Sequence, residues 1–146
     1  MEKQHEIFMK KALQLAQQAY EENEIPIGAV VVFENQIIAK GYNQTEKLKD
    51  ATAHAEMIAI TAASEYLNSK YLKNCTLYVT VEPCIMCGGA LMWSQIPHIV
   101  YGTPDIQKGC ISTNKNQLLD KTTIISGVLE EECKSLLLDF FKEKRE

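Results

Sequence analysis

Apolar residues near the start of the chain recur as Phe8, Ala12, Leu15, Ala16 and Ala19. This is the three-and-four spacing of an amphipathic helix, and it predicts one over Glu2–Glu22, ended by Asn23 and Pro26. Two β-branched runs follow, Ile27–Phe33 and Gln36–Ala39, with only Glu34-Asn35 between them. That spacing suits a tight antiparallel hairpin. Gly41 to Thr52 is polar, carries Asn43, Gln44, Thr45 and Asp50, and reads as a surface loop feeding the next helix. Ala53–Leu67 is dense in Ala, Ile and Met, so a helix buried on most of its surface is expected there. Thr76–Val81 reads as an interior strand broken by Glu82-Pro83. Cys84–Trp93 is helix-like, with Pro83 at or near its first position, where the missing N–H costs nothing. Ile99–Tyr101 and Thr122–Ile125 predict two further strands, and Leu129–Lys144 a last helix. Thr103 to Lys121 has no regular pattern.

A hairpin followed by alternating helices and strands requires crossovers above and below the sheet. The expectation is an α/β fold, three-layer α/β/α, with a mixed five-stranded sheet. At 146 residues, without repeat or linker, residues 1–146 read as a single domain.

Composition narrows the partners. Hydrophobic residues at 46% and charged residues at 23% exclude a disordered chain. A net charge of −4 gives no whole-protein basic field, so any RNA contact has to be local. The five cysteines are an odd number, Met1–Glu6 carries no apolar leader, and Ile27–Phe33 is too short to span a bilayer as a helix. A cytoplasmic protein without membrane contact is expected.

Two short segments carry the chemistry, His54-Ala55-Glu56 and Pro83-Cys84-Ile85-Met86-Cys87. Cys84 and Cys87 are three apart, so at a helix start both can reach one ion, and the helix N-terminus favours their thiolates. His54 supplies a third ligand from a second helix. Three protein ligands leave the fourth tetrahedral position of Zn²⁺ open to water, as in catalytic sites. Two thiolates offset the ion's charge, so the water needs a base beside it, and Glu56 is placed to be that base. A C-x-x-C after a strand also fits a thioredoxin-like redox motif, and a structural zinc knot is a further reading. The knot calls for a fourth Cys or His and gives Glu56 nothing to do.

At these residues the sequence resembles the cytidine and deoxycytidylate deaminase superfamily, whose signature is His-x-Glu followed by Pro-Cys-x-x-Cys. Within it the chain looks most like the bacterial tRNA-specific adenosine deaminases. The matching blocks include Glu24–Val30, Gly41-Tyr42-Asn43, Thr52–Glu56, Thr76–Cys87, Gly127-Val128-Leu129, Glu132-Cys133 and Asp139-Phe140-Phe141. The resemblance implies a cytidine deaminase-like fold, a bound Zn²⁺, a homodimer, and conversion of adenosine to inosine at the wobble position of a tRNA anticodon stem-loop. By the same resemblance His54, Cys84 and Cys87 hold the metal and Glu56 moves protons. Asn43 hydrogen-bonds the base, Ile27 and Val81 line its pocket, and the backbone near Ala55 helps position the ring. An amide can offer a base edge both a donor and an acceptor, so Asn43 suits that task; as a residue after Gly41 it also suits a turn.

The chain departs from the pattern at Gln95, where many tRNA deaminases carry Arg, at His98, where they carry a basic residue, and in a shorter Gly102–Gly127 segment that keeps Asp105 and Gly109. Its one arginine is Arg145, so cationic contacts to RNA fall to Lys47, Lys49, Lys70, Lys73, Lys108, Lys142 and Lys144. Phe140 and Phe141 suit either RNA stacking or docking of the last helix. A deaminase of a free base or nucleoside, such as guanine, cytosine or cytidine, shares the metal site and is the alternative enzyme. A zinc-stapled RNA-binding or interaction domain without catalysis is the alternative outside enzymes.

Overall fold

The computed structural model describes residues 2–115 and 117–145, with the side chains of Glu2 and Arg145 outside that description. Helix α1 spans Glu2–Glu21 and leads into a hairpin of β1 (Gly28–Phe33) and β2 (Gln36–Tyr42). Glu34 and Asn35 both sit at positive φ, 52° and 62°, as a two-residue turn matched to strand twist requires. The second strand runs three residues further than its apolar run suggests. Gly41 and Tyr42 pair with Ala29 and Gly28, so they belong to the ladder and not to the loop.

Helix α2 (Ala55–Leu67), β3 (Cys75–Val81), α3 (Ile85–Ser94), β4 (His98–Thr103), β5 (Thr123–Ile125) and α4 (Glu130–Arg145) complete the chain. The five strands lie in the order β2-β1-β3-β4-β5. The first three are mutually antiparallel, while β3, β4 and β5 run parallel, so the sheet is mixed.

Side chains alternate across the strands and divide the core in two. Ala29, Val31, Leu77, Val79, Ile99 and Tyr101 pack with Ala55, Ala59, Ala63 and Leu91 of α2 and α3. Val30, Val32, Tyr78 and Val100 point the other way, onto Met9 and Ala12 of α1 and Cys133 of α4. Helices on both faces give the three layers, and every residue of β3 from Leu77 to Val81 is buried, the polar Thr80 included, whose Oγ1 accepts the Gly28 N–H.

Two glycines set how closely the layers approach. A Cβ at Gly28 would fall on the backbone of Ala12 and Ala16, and one at Gly41 on the backbone of Ala55 and Ala59. Gly41 thereby lets the end of β2 rest on the first turn of α2, and the Gln44 N–H donates to the Ala53 carbonyl just before His54.

Candidate active site

The site forms at one end of the sheet, where β3 delivers its C-terminus and α2 and α3 begin. His54 is the N-cap of α2 and Cys84 the N-cap of α3, each with extended backbone and no side-chain capping bond, so imidazole and thiol stay free for another partner. Sequence spacing places these two residues inside the helices; the structure puts each one step before. Pro83 likewise precedes the N-cap, and Cys87 lies three residues into the first turn. Two helix N-termini therefore converge on one spot and favour negative charge there.

His54 Nδ1 lies 3.6 Å from Cys84 Sγ and 3.5 Å from Cys87 Sγ. Zinc bonds of about 2.3 Å to sulfur and about 2.0–2.1 Å to nitrogen, meeting at a tetrahedral angle, put the two ligand atoms about 3.6 Å apart. The donor set thus fits Zn²⁺ in both kind and spacing. These three residues are the one His/Cys/Asp/Glu group with ligand atoms close enough for a metal among the described residues. A fourth ligand, which a structural knot needs, is not in that group.

Without a cation the two thiols divide their protons unequally. Hydrogen bonding from the Cys87 thiol, aided by the Cys87 and Met86 amides and by His54, brings Cys84 down to about 5 despite its partial burial. Donating that bond, together with burial and the neighbouring Glu56, pushes Cys87 up. Glu56 is buried at 4% exposure, and desolvation, with a smaller push from the Cys84 charge, raises its pKa to about 7. Such a group holds or releases a proton near neutral pH.

Strand register explains how the remaining residues meet. Ala29 pairs with Val79 across β1 and β3, so Ile27, two residues earlier, comes opposite Val81. The Asn43 N–H donates to the Ile27 carbonyl at 3.1 Å, and Gln44 N–H to Ala53 at 3.0 Å, which ties the loop after β2 to the entrance of α2. Val81 and Ala55 are buried and Ile27 is half-buried. Asn43 is 5% exposed, and its Oδ1 is the one buried side-chain polar atom without a hydrogen-bond partner among the described residues. An orphaned acceptor of this kind is costly unless a ligand donates to it.

The lysines separate by end of the sheet. His98 opens β4 opposite Thr76, and Lys70 and Lys73 precede β3 and pack over the Tyr71 ring. Seven strand residues at about 3.3 Å each set that end roughly 20 Å from the metal ligands. Gln95 is the C-cap of α3 at φ 59°, also away from the ligands. Lys47, Lys49 and Lys108 lie on loops at the active end. Lys47 pairs with Glu22 at 3.4 Å, and Lys144 covers Phe140. Phe140 is buried edge-on against Tyr20 and docks α4, while Phe141 is partly exposed. A surface cleft of about 630 Å³ between Glu22, Glu24, Lys47, Phe140 and Lys144 includes none of the ligand residues; the donor geometry, not cavity size, locates the site.

Two buried carboxylates carry no role in the sequence reading. Glu24 accepts the N–H groups of Glu46 (3.1 Å) and Lys47 (2.8 Å) and holds the loop that bears Asn43. Glu82 holds the segment after β4 in the same manner. The sequence carries no signal for them, since an acid beside a strand reads as a surface charge until the fold brings the donors onto it.

Residues 2–103 match the family described as the cytidine and deoxycytidylate deaminase zinc-binding region. The chain belongs to this deaminase family. Among its relatives is the tRNA-specific adenosine deaminase of Aquifex aeolicus, 46% identical over 145 residues, covering 96% of this chain and 95% of the relative. A solved structure from work on A-to-I editing by tRNA deaminases at the wobble position superposes with a TM-score of 0.83 at 37% identity. It covers 89% of this chain and 98% of its own. The guanine deaminase of Bacillus subtilis, at 36% identity, reaches a TM-score of 0.66 over 76% of this chain and 68% of its own. Within the family the chain thus groups with the tRNA-specific adenosine deaminases, zinc-dependent hydrolases with a cytidine deaminase-like fold.

Proposed function

We propose that the protein deaminates adenosine to inosine at the wobble position of a tRNA anticodon stem-loop, with residues 1–146 acting as one zinc-dependent domain. The observation that carries this reading is a His/Cys/Cys donor set spaced for one ion, with a buried carboxyl and an orphaned amide oxygen in the same domain. The near full-length relatives named for that activity support the substrate.

His54, Cys84 and Cys87 would hold the zinc, which when bound would lower the pKa of a water. Glu56 takes a proton from the attacking water and delivers it to the ring nitrogen N1 as the C6–O bond forms. Glu56 then takes the remaining proton from the new C6 hydroxyl and passes it to the exocyclic nitrogen, the C6–N bond breaks, and ammonia leaves inosine behind. Asn43 meets the base edge through the Oδ1 that has no partner within the protein. Ile27 and Val81 wall the ring, and the backbone at Ala55 closes the pocket so that bulk water is excluded.

Zinc-loaded protein incubated with an adenosine-containing anticodon stem-loop is expected to yield inosine at the wobble position, read by mass spectrometry. Inosine absent there, with free guanine, cytosine or cytidine deaminated in parallel, would replace this reading with the free-base one.

The family's homodimer extends to this chain. Ile85, Gly89 and Trp93 recur every four residues on α3, with Ile85 42% and Trp93 75% exposed, and open space beside Gly89. An apolar stripe of this kind suits a second copy. Sedimentation at twice the chain's 16.5 kDa is the expected result. A cytoplasmic location fits five free cysteines and the absence, among the described residues, of any helix long and apolar enough to cross a membrane.

A further inference from the structure

Glu82 closes β3 and is 3% exposed, one residue from Pro83-Cys84. No cation pairs with it among the described residues. Its Oε1 accepts the Asp105 N–H at 3.0 Å and the Ser112 hydroxyl at 2.5 Å. Its Oε2 accepts the N–H groups of Ile111 at 2.8 Å and Ser112 at 2.7 Å. Four donors from one short segment thus satisfy a carboxylate that burial would otherwise make costly. Gly109 lies directly against it, since a Cβ there would fall on the Glu82 carboxylate. The same segment bridges to the metal ligand's own backbone, Gly109 to Cys84, and the Cys110 N–H donates to the Pro83 carbonyl at 2.9 Å. Its outer side turns Ile106, 79% exposed, and Lys108 to solvent.

We propose that Glu82 is a positioning residue for substrate binding. It shapes residues 105–112 into a wall beside Cys84, against which the nucleotides next to the target base rest, and it takes no part in the proton transfers. This inference rests on the tRNA reading above. The wall hangs on Glu82, whereas Cys84 and Cys87 are set by the first turn of α3, where the Gly88 N–H donates to the Cys84 carbonyl at 2.8 Å. Loss of the clamp therefore weakens binding and spares the chemical step.

The test is steady-state inosine formation from an anticodon stem-loop by wild-type, Glu82→Gln and Ser112→Ala proteins, each with zinc content measured. Gln turns an NH₂ towards two donors, and Ser112→Ala removes one hydroxyl donor from an exposed residue that leaves the fold intact. KM is expected to rise about tenfold in Glu82→Gln and about threefold in Ser112→Ala, with kcat within about twofold and zinc unchanged. Should Glu82→Gln fail to fold, Ser112→Ala decides alone. A wild-type KM in Ser112→Ala, a fall in kcat at constant KM, or loss of zinc from a folded variant overturns the proposal. A wild-type protein that makes no inosine overturns instead the tRNA reading on which it stands.

Discussion

Glu56→Gln is expected to keep its zinc and its fold and to lose at least about 10²–10⁴-fold in turnover, the contribution of a positioned acid–base group. Burial raises the Glu56 carboxyl to about 7, so near neutral pH it can both take a proton from water and return one to the base. Gln matches its size and can hydrogen-bond, yet it cannot carry a proton between the two. It also removes a titratable group from a site that is 4% exposed, so the unfolding midpoint should hold or rise slightly. Inosine yield by mass spectrometry and zinc by elemental analysis measure the two halves separately. Turnover at the wild-type rate would sink the assignment of Glu56, and zinc loss would show that it supports the ligands instead of the proton transfers.

What the sequence makes legible follows from how local each signal is. The hairpin could be read because Glu34-Asn35 encodes its own turn, and β3 because a run buried on both faces needs no partner to be recognised. The ligands were legible because one ion demands fixed spacings at two helix starts. Helix entrances were placed a residue or two early because capping depends on φ and ψ: His54 and Cys84 carry no conventional cap side chain and still hold cap geometry. The pairing of Gly41 and Tyr42 with β1 was hidden because their polar neighbours mask a strand end that only the ladder reveals.

The clamps were illegible for a different reason. Glu24 and Glu82 look like surface acids, and only the fold brings backbone N–H groups from segments more than twenty residues away onto their oxygens. Each fixes one loop beside the site, the Asn43 loop on one side and residues 105–112 on the other. Backbone donors are attached to the loop itself, so they order it more directly than a flexible lysine would. The acidic net charge is compatible with RNA for a related reason: cationic side chains are needed only at the active end, where Lys47, Lys49, Lys108 and Lys144 lie.

Removal of zinc by a chelator is expected to abolish inosine formation completely and to lower the unfolding midpoint by roughly 10 °C. A ligand bound to the folded state at a thousand times its Kd contributes about 4 kcal/mol, and for a chain of this length each kcal/mol moves the midpoint by a few degrees. The size of the shift depends on what the site becomes when empty. Cys87 and Glu56 are buried side by side, and burial raises the pKa of both, so the metal-free site sheds part of its buried charge and the protein folds, with less stability than the zinc form. The two helix N-termini then face each other without the ion that joins α2 to α3. Added Zn²⁺ should restore both midpoint and turnover, while Mg²⁺ or Ca²⁺, which require oxygen ligands, should restore neither. Thermal melts and inosine assays on the same chelated and reloaded sample make the comparison. Full turnover from protein stripped of zinc would remove the metal from the mechanism, and an unchanged midpoint would mean that the His54, Cys84 and Cys87 cluster holds its shape without it.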